Sequence, residues 1–217
     1  YFMSDYFLAI TLFSDIIKNM LEKSLKNFTF CDAHFHLLDF PSVPENWMGC
    51  TCAHSIKEWE TQKEFFKDKT YGVLSFGLHP QSAEYIDIKE NADYLEHLLK
   101  DPASGIKAIG EAGFDYFTEE FKAQAVKQEE MFNIQLELAL FYNKPLVVHC
   151  RKANHKLFEY SGKLKKLPSV LFHSFMGTLI EANSLISRNI NFFFSFGKQM
   201  MNTNKKVIDC VKNLPEQ

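Results

Sequence analysis

Six side chains able to hold a divalent cation recur through the 217-residue sequence: His34, His36, His79, Glu111, His149 and His173. Imidazole nitrogen suits Zn²⁺ and Mn²⁺, and carboxylate oxygen adds Mg²⁺ to that range. His34-x-His36 is the sharpest spacing, because residues two apart on a strand point to one face and both rings reach one ion. A helix would need a spacing of four instead. Glu111 stands between Gly110 and Ala112-Gly113, small neighbours that leave room for an ion. A carboxylate can bridge two cations about 3.5–4 Å apart, which a neutral imidazole cannot. Arg151 lies two residues beyond His149, and a guanidinium beside a metal centre suits a phosphate or carboxylate substrate. Asp115 follows Gly113-Phe114 as a substrate contact or a partner for a ligand, and Asp32 shares the parity of His34 and His36 and could orient a ring.

Each residue also has an ordinary reading. An H-x-H pair can sit on a half-exposed strand. Glu111 can begin a loop, Arg151 can form a surface ion pair, and Asp115 can cap the helix starting near Glu119. His97 and His155 fall within helices, whereas His54 ends a strand.

The elements that must carry these residues are legible in the periodicity. Apolar runs at Phe28–His36, Met48–His54, Gly72–Leu78, Ile106–Gly110, Leu146–His149, Val170–His173 and Ile190–Phe196 predict strands. Amphipathic stretches at Ile56–Asp68, Ile88–Lys100, Glu119–Tyr142, Lys152–Lys163, Thr178–Arg188 and Thr203–Asn213 predict helices between them, with Pro and Gly at the joints. Strand–helix alternation implies a parallel sheet covered by helices. Seven β/α units fit in residues 28–217, about 27 residues each. The six cation ligands fall at or just after strand ends on five of those strands. A closed barrel gathers such ends at one mouth, whereas an open sheet spreads them at roughly 4.8 Å per strand. The expected fold is therefore an α/β, TIM-type (β/α) barrel over 28–217. It is preceded over 1–27 by an amphipathic helical extension, with Phe13, Ile17, Met20 and Leu21 proposed to cover the barrel seam.

Composition narrows the function classes. With 46% hydrophobic and 24% charged residues, the chain is globular. A net charge of −3 argues against a polycation that holds nucleic acid by charge alone. It leaves room for a nuclease whose positive charge comes from metal. No apolar run approaches the roughly 18 residues of a membrane span. The five cysteines form no C-x-x-C pair and read as reduced thiols of a cytoplasmic protein.

Several segments together carry a resemblance. They are Asp32-Ala33-His34-Phe35-His36-Leu37, Gly77-Leu78-His79-Pro80 and Ile109-Gly110-Glu111-Ala112-Gly113-Phe114-Asp115-Tyr116. Gln128 and Gln135-Leu136-Glu137-Leu138-Ala139 follow, then Pro145-Leu146-Val147-Val148-His149-Cys150-Arg151 and Phe172-His173-Ser174-Phe175-Met176-Gly177. In order and spacing the chain resembles the TatD family of metal-dependent hydrolases, among the amidohydrolase-like barrels. The resemblance implies one or two divalent ions and deoxyribonuclease activity on DNA or oligonucleotides. By position, His34 and His36 would hold one metal, Glu111 would bridge, and His149 and His173 would hold the second. His79, Arg151 and Asp115 would lie around the substrate, which a metal-activated water would cleave.

Three departures from the family pattern stand out. Leu37-Leu38-Asp39 inserts one residue after the H-x-H pair, Met176 stands where the family has Ser, and the sequence reaches Gln217 where the family's eighth strand and its ligand Asp would follow. Two ions would then meet a single ligand charge, that of Glu111, so the first metal is expected to bind weakly and activity to be reduced. Two further readings of the same residues stand: a metal hydrolase of amides, lactones or other small substrates, and a degenerate barrel that binds without turnover.

Overall fold

Among the described residues, seven strands run in parallel and in chain order: β1 (Phe30–Phe35), β2 (Trp47–Ala53), β3 (Gly72–Phe76), β4 (Ile106–Asp115), β5 (Leu146–Arg151), β6 (Val170–His173) and β7 (Phe192–Phe194). This computed structural model describes residues 30–39, 42, 43, 47–69, 71–201 and 204–214. The expected N-terminal helix lies outside them. Helices α1 (Ile56–Phe66), α2 (Ile88–Lys100), α3 (Glu119–Ala123), α4 (Ala125–Phe141), α5 (Asn154–Glu159), α6 (Ser161–Leu164), α7 (Leu179–Ile186) and α8 (Lys205–Asn213) fill the connections. The single long helix expected after Glu119 is broken at Gln124, and the one expected after Lys152 is two short helices meeting at Tyr160. Side-chain caps fix several starts: Ser55 on α1, Asp87 on α2, and Thr178 with Glu181 as a capping box on α7.

The sheet is curled, not flat. In a flat sheet the ends of β1 and β6 would stand five strand spacings apart, about 24 Å. Instead, the rings of His34 and His173 lie 3.7 Å apart, centroid to centroid. Among the described residues β7 and β1 do not pair, so the strands form an open half-barrel. Its lumen is filled by Cys50, Cys52, Ala108, Val147 and Leu171. The larger core lies outside the sheet, where Trp59, Leu95, Phe132 and Leu136 of the helices pack against Phe76 and Phe114 of the strands.

Alternation then aims most of the polar side chains. Val147 faces the lumen, and so does His149 two residues on; Leu171 is followed likewise by His173, and Cys50 and Cys52 by His54. Two strands break this rule. Ala108 of β4 faces the lumen, so strict alternation would turn Glu111 outward. A register shift between Ile109 and Ala112 inserts one residue against β5 and reverses the parity. Glu111, Gly113 and Asp115 thereby face inward, with Gly113 opposite His149 and Asp115 opposite Arg151. A second shift, between Asp32 and Phe35, does the same for β1. It brings His34 to the lumen beside Ala33 and cancels the parity argument that placed Asp32 on the histidine face.

Glycine is required where β4 passes close to β5. Gly113 has φ +144°, and a Cβ there would lie 2.0 Å from the His149 carbonyl oxygen. Strand β4 also continues five residues beyond its expected end, so Glu111 and Asp115 sit on the strand itself. We expect Gly113→Ala to destabilise the fold by at least about 3 kcal/mol, from strained backbone and overpacking together. A urea unfolding midpoint equal to that of the unsubstituted protein would refute the close β4–β5 approach.

Candidate metal centre

Glu111 is 1% exposed, and imidazoles from five chain segments surround its carboxylate. His34 Nε2 of β1 lies 2.9 Å from Oε2, with His36 Nε2 and His54 Nε2 each at 3.5 Å. On the other oxygen, His149 Nδ1 of β5 stands 2.8 Å away, His79 Nε2 3.6 Å and His173 Nε2 3.9 Å. Burial alone would raise the Glu111 pKa, but the surrounding rings, His34 foremost, hold it well below the usual carboxylate range. A buried carboxylate that remains ionised needs positive charge close by.

The geometry on the Oε2 side fits a cation. Glu111 Oε2 and His54 Nε2 are buried and have no hydrogen-bond partner, although three ring nitrogens crowd that oxygen. His36 Nδ1 lies 3.1 Å from the Cys52 carbonyl, which can only accept, so the ring proton sits on Nδ1 and Nε2 presents its lone pair to the lumen. His34 Nε2 is 3.1 Å from that lone pair, and Cys52 Sγ rests 3.0 Å from its Nδ1. Ligand atoms of His34, His36 and Glu111 all lie within 4.8 Å of one another, and so do those of His54, His79 and Glu111.

The remaining expected residues form a polar chain leading outward. His149 spans two carboxylates, with Nδ1 on Glu111 and Nε2 3.0 Å from Asp115 Oδ2. Burial pulls the His149 pKa down, but these bonds win and raise it to about 9. Asp115 is fully buried; burial would raise its pKa, but hydrogen bonds from His149, Gln81 and the Phe117 N–H bring it to about 2. Arg151 Nη1 lies 3.6 Å from Asp115 Oδ2, and its guanidinium stacks 4.0 Å from the centre of the Phe117 ring. Burial lowers His79 to about 4 and drives His173 well below its ordinary value, so both rings are neutral. Of the nine side chains singled out in the sequence, His34, His36, His79, His149 and His173 ring Glu111, Asp115 joins them through His149, and Arg151 joins through Asp115, whereas Asp32 accepts the His34 backbone N–H at 3.2 Å.

Sequence reasoning undervalued four residues. Parity in Cys50-Cys52-His54 was the available signal for His54 and for Cys52, which touches both rings of the H-x-H pair. Gln128 and Gln135 lie two turns apart on one face of α4, both buried. Gln135 accepts the Leu78 N–H at 2.8 Å and donates to the Leu78 carbonyl at 3.0 Å, fixing the segment that carries His79. Gln128 treats Asp115 the same way, accepting its N–H at 2.9 Å and donating to its carbonyl at 3.1 Å. A buried amide on an otherwise apolar helix face was the clue to both.

Replacing Gln135 with Leu leaves two buried backbone groups unpaired, so we expect a stability loss of about 2–4 kcal/mol. Denaturant unfolding measures it, and no change would mean that solvent reaches the Leu78 backbone.

Comparisons with known proteins bear on the family and the fold. The family model described as TatD related DNase matches residues 31–217. An uncharacterized metal-dependent hydrolase of Mycoplasma genitalium is 31% identical over 66% of this chain and 55% of its own length. A protein named 3'-5' ssDNA/RNA exonuclease TatD, from Edwardsiella piscicida, is 38% identical over 51% of this chain and 41% of its own. The chain spans about half the length of these two curated relatives. In fold, it superposes on the crystal structure of YJJV, a TatD homolog from Escherichia coli, with a TM-score of 0.71 at 22% identity, over 86% of this chain and 75% of that one. On the match across residues 31–217, the chain belongs to the TatD-related DNase family.

Proposed function

We propose that the Glu111 centre is the active site of a metal-dependent hydrolase that cleaves phosphodiester bonds in DNA or oligonucleotides. The observation that carries this reading is Glu111 Oε2, buried and without a hydrogen bond, beside the ring nitrogens of His34, His36 and His54. One or two divalent ions fit this donor set, with Zn²⁺ or Mn²⁺ favoured over Mg²⁺ by its nitrogen content. His34, His36 and Glu111 would hold the first, and His149 and His173 are the residues the resemblance gives to a second. A divalent ion held there acidifies water and offsets the charge that develops on a phosphoryl group.

The protein's own groups supply the rest. His79 accepts the Gln81 N–H on Nδ1 at 3.3 Å, so its neutral ring carries the proton on Nε2, aimed at Glu111 and the mouth. That N–H is placed to donate to a phosphate oxygen. Asp115 holds Arg151 from one side and Phe117 supports it from below, leaving guanidinium N–H groups for a second phosphate oxygen. Lys152 lies 4.9 Å from the centre of the same Phe117 ring and adds charge at the rim. A cavity of about 750 Å³ opens over Glu111, with the exposed ring of Tyr85 on its wall. An aromatic face of that kind suits an unpaired base.

No described helix is long and apolar enough to cross a membrane. Cys50, Cys52, Cys150 and Cys210 are free and buried, which supports the reading of a cytoplasmic, reducing environment.

With Mn²⁺ added to metal-stripped protein, we expect digestion of a labelled oligonucleotide, and excess chelator should abolish it. Glu111→Ala should lower the rate at least about 100-fold. If variant and unsubstituted protein digest the substrate at the same slow rate, this centre does not catalyse the reaction. Arg151→Ala should weaken substrate binding more than metal binding, measured as a raised KM at unchanged Mn²⁺ affinity.

A further inference from the structure

We propose that the Cys52 thiol is a positioning residue for His34. It hydrogen-bonds His34 Nδ1 in either proton arrangement of the ring, so that Nε2 can hold a proton in the metal-free protein and offer a lone pair to a divalent cation. The proposal rests on the reading that the Glu111 centre binds divalent metal, with His34 among its ligands.

Three contacts fix where the protons lie. His36 Nδ1 donates to the Cys52 carbonyl at 3.1 Å, so His36 Nε2 carries a lone pair. His34 Nε2 stands 3.1 Å from that lone pair and 2.9 Å from Glu111 Oε2. Both neighbours are acceptors. Without a cation between them they repel a lone pair on His34 Nε2, and the proton of the neutral ring belongs there. His34 Nδ1 is then an acceptor, and Cys52 Sγ lies 3.0 Å from it. The thiol is 3% exposed, and its S–H donates to Nδ1.

Ligating a cation needs the opposite arrangement. Glu111 Oε2 is buried without a hydrogen-bond partner, and His34 Nε2 can ligate beside it only without its proton. The ring then carries its proton on Nδ1 and donates to Cys52 Sγ. It stays neutral throughout: solvent takes the proton from Nε2 and returns one to Nδ1, while the thiol keeps its own. The S–H also has somewhere to turn. Ser75 Oγ lies 2.8 Å from Cys52 Sγ and 3.3 Å from the Thr51 carbonyl, so donors run from Nδ1 through the thiol and the Ser75 hydroxyl to that carbonyl. With the proton on Nε2, the Ser75 hydroxyl donates to sulfur and sulfur to Nδ1. Both arrangements leave the ring and the thiol paired.

A backbone carbonyl could not do this. It only accepts, as it does behind His36, and would fix the His34 proton on Nδ1. Two ring lone pairs and a carboxylate oxygen would then face one another in the metal-free lumen. A methyl group in place of the thiol would leave Nδ1 unpaired in both arrangements. Sulfur, like a hydroxyl, both donates and accepts.

Nitrogen NMR of the histidine-labelled 217-residue chain reads the tautomer, with His34 assigned by its loss in His34→Gln. Metal-stripped protein should carry the His34 proton on Nε2, and saturation with ZnCl₂ should place it on Nδ1. Calorimetric titration with ZnCl₂ then measures the contribution of the thiol to the equivalent that His34→Gln loses. Cys52→Ala should weaken that equivalent by about 10–100-fold, whereas Cys52→Ser should hold it within about threefold. Cys50→Ala removes the other lumen thiol, 3.9 Å from Ser75 Oγ, and should also stay within about threefold. A metal-free ring with its proton on Nδ1, an unchanged affinity in Cys52→Ala, or an equal loss in Cys50→Ala overturns the role of Cys52 and leaves the Glu111 centre standing. Uptake of no Zn²⁺ at all removes the reading of the centre, and the proposal with it.

Discussion

The buried negative charge of Glu111 organises this molecule. Taking a carboxylate out of water costs several kcal/mol unless other groups compensate it. Glu111 is compensated by imidazoles, and they arrive from β1, β5, β6 and the segments that follow β2 and β3. The full set could not meet there if the sheet were flat, because β1 and β6 would stand about 24 Å apart. The curl of the half-barrel and the ionised state of Glu111 are therefore one constraint seen from two sides. The sheet brings the rings together, and the shared charge rewards them for being together.

Around that charge the chain divides into layers with different tasks. Small lumen residues such as Cys52, Ala108 and Val147 let the strands close in beneath the histidines. The aromatic core outside the sheet stiffens the strands that carry them. Two glutamines on α4 then tie down the backbone at Leu78 and Asp115, beyond β3 and at the end of the neighbouring β4. Each makes the hydrogen bonds a neighbouring strand would otherwise supply, which is why polar side chains are tolerated at fully buried helix positions. Positioning at the mouth comes from rigid elements more than from loops, the arrangement that best preserves ligand geometry.

The two halves of the Glu111 carboxylate see different chemistry. Oε2 faces rings whose nitrogens find no hydrogen-bond partner in it, and Oε1 faces His149, which is already committed to Asp115. From Oε1 a polar chain runs through His149 and Asp115 to Arg151, stacked on Phe117 at the rim. Positive charge offered to a substrate is thus coupled through hydrogen bonds to the carboxylate at the base.

Much of this was readable from the residues alone. Period-two apolar runs located all seven strands because a lumen-facing and a helix-facing side chain must alternate on any strand covered on both sides. The same period placed His149, His173 and Arg151 on the inner face. The motif order then pointed to the family without any coordinates. Three things depended on tertiary contacts. The parity of β1 and β4 is reversed by an extra residue set against the neighbouring strand, a feature of pairing that leaves no local pattern in either segment. His54 becomes a possible ligand only because β1 and β3 flank β2 and bring His36 and His79 against its ring. Gln128 and Gln135 acquire their purpose from backbone groups 13 and 57 residues away. Sequence determines which groups are available and the face each begins on; where separate segments pass within a few ångströms, packing decides which of those groups meet.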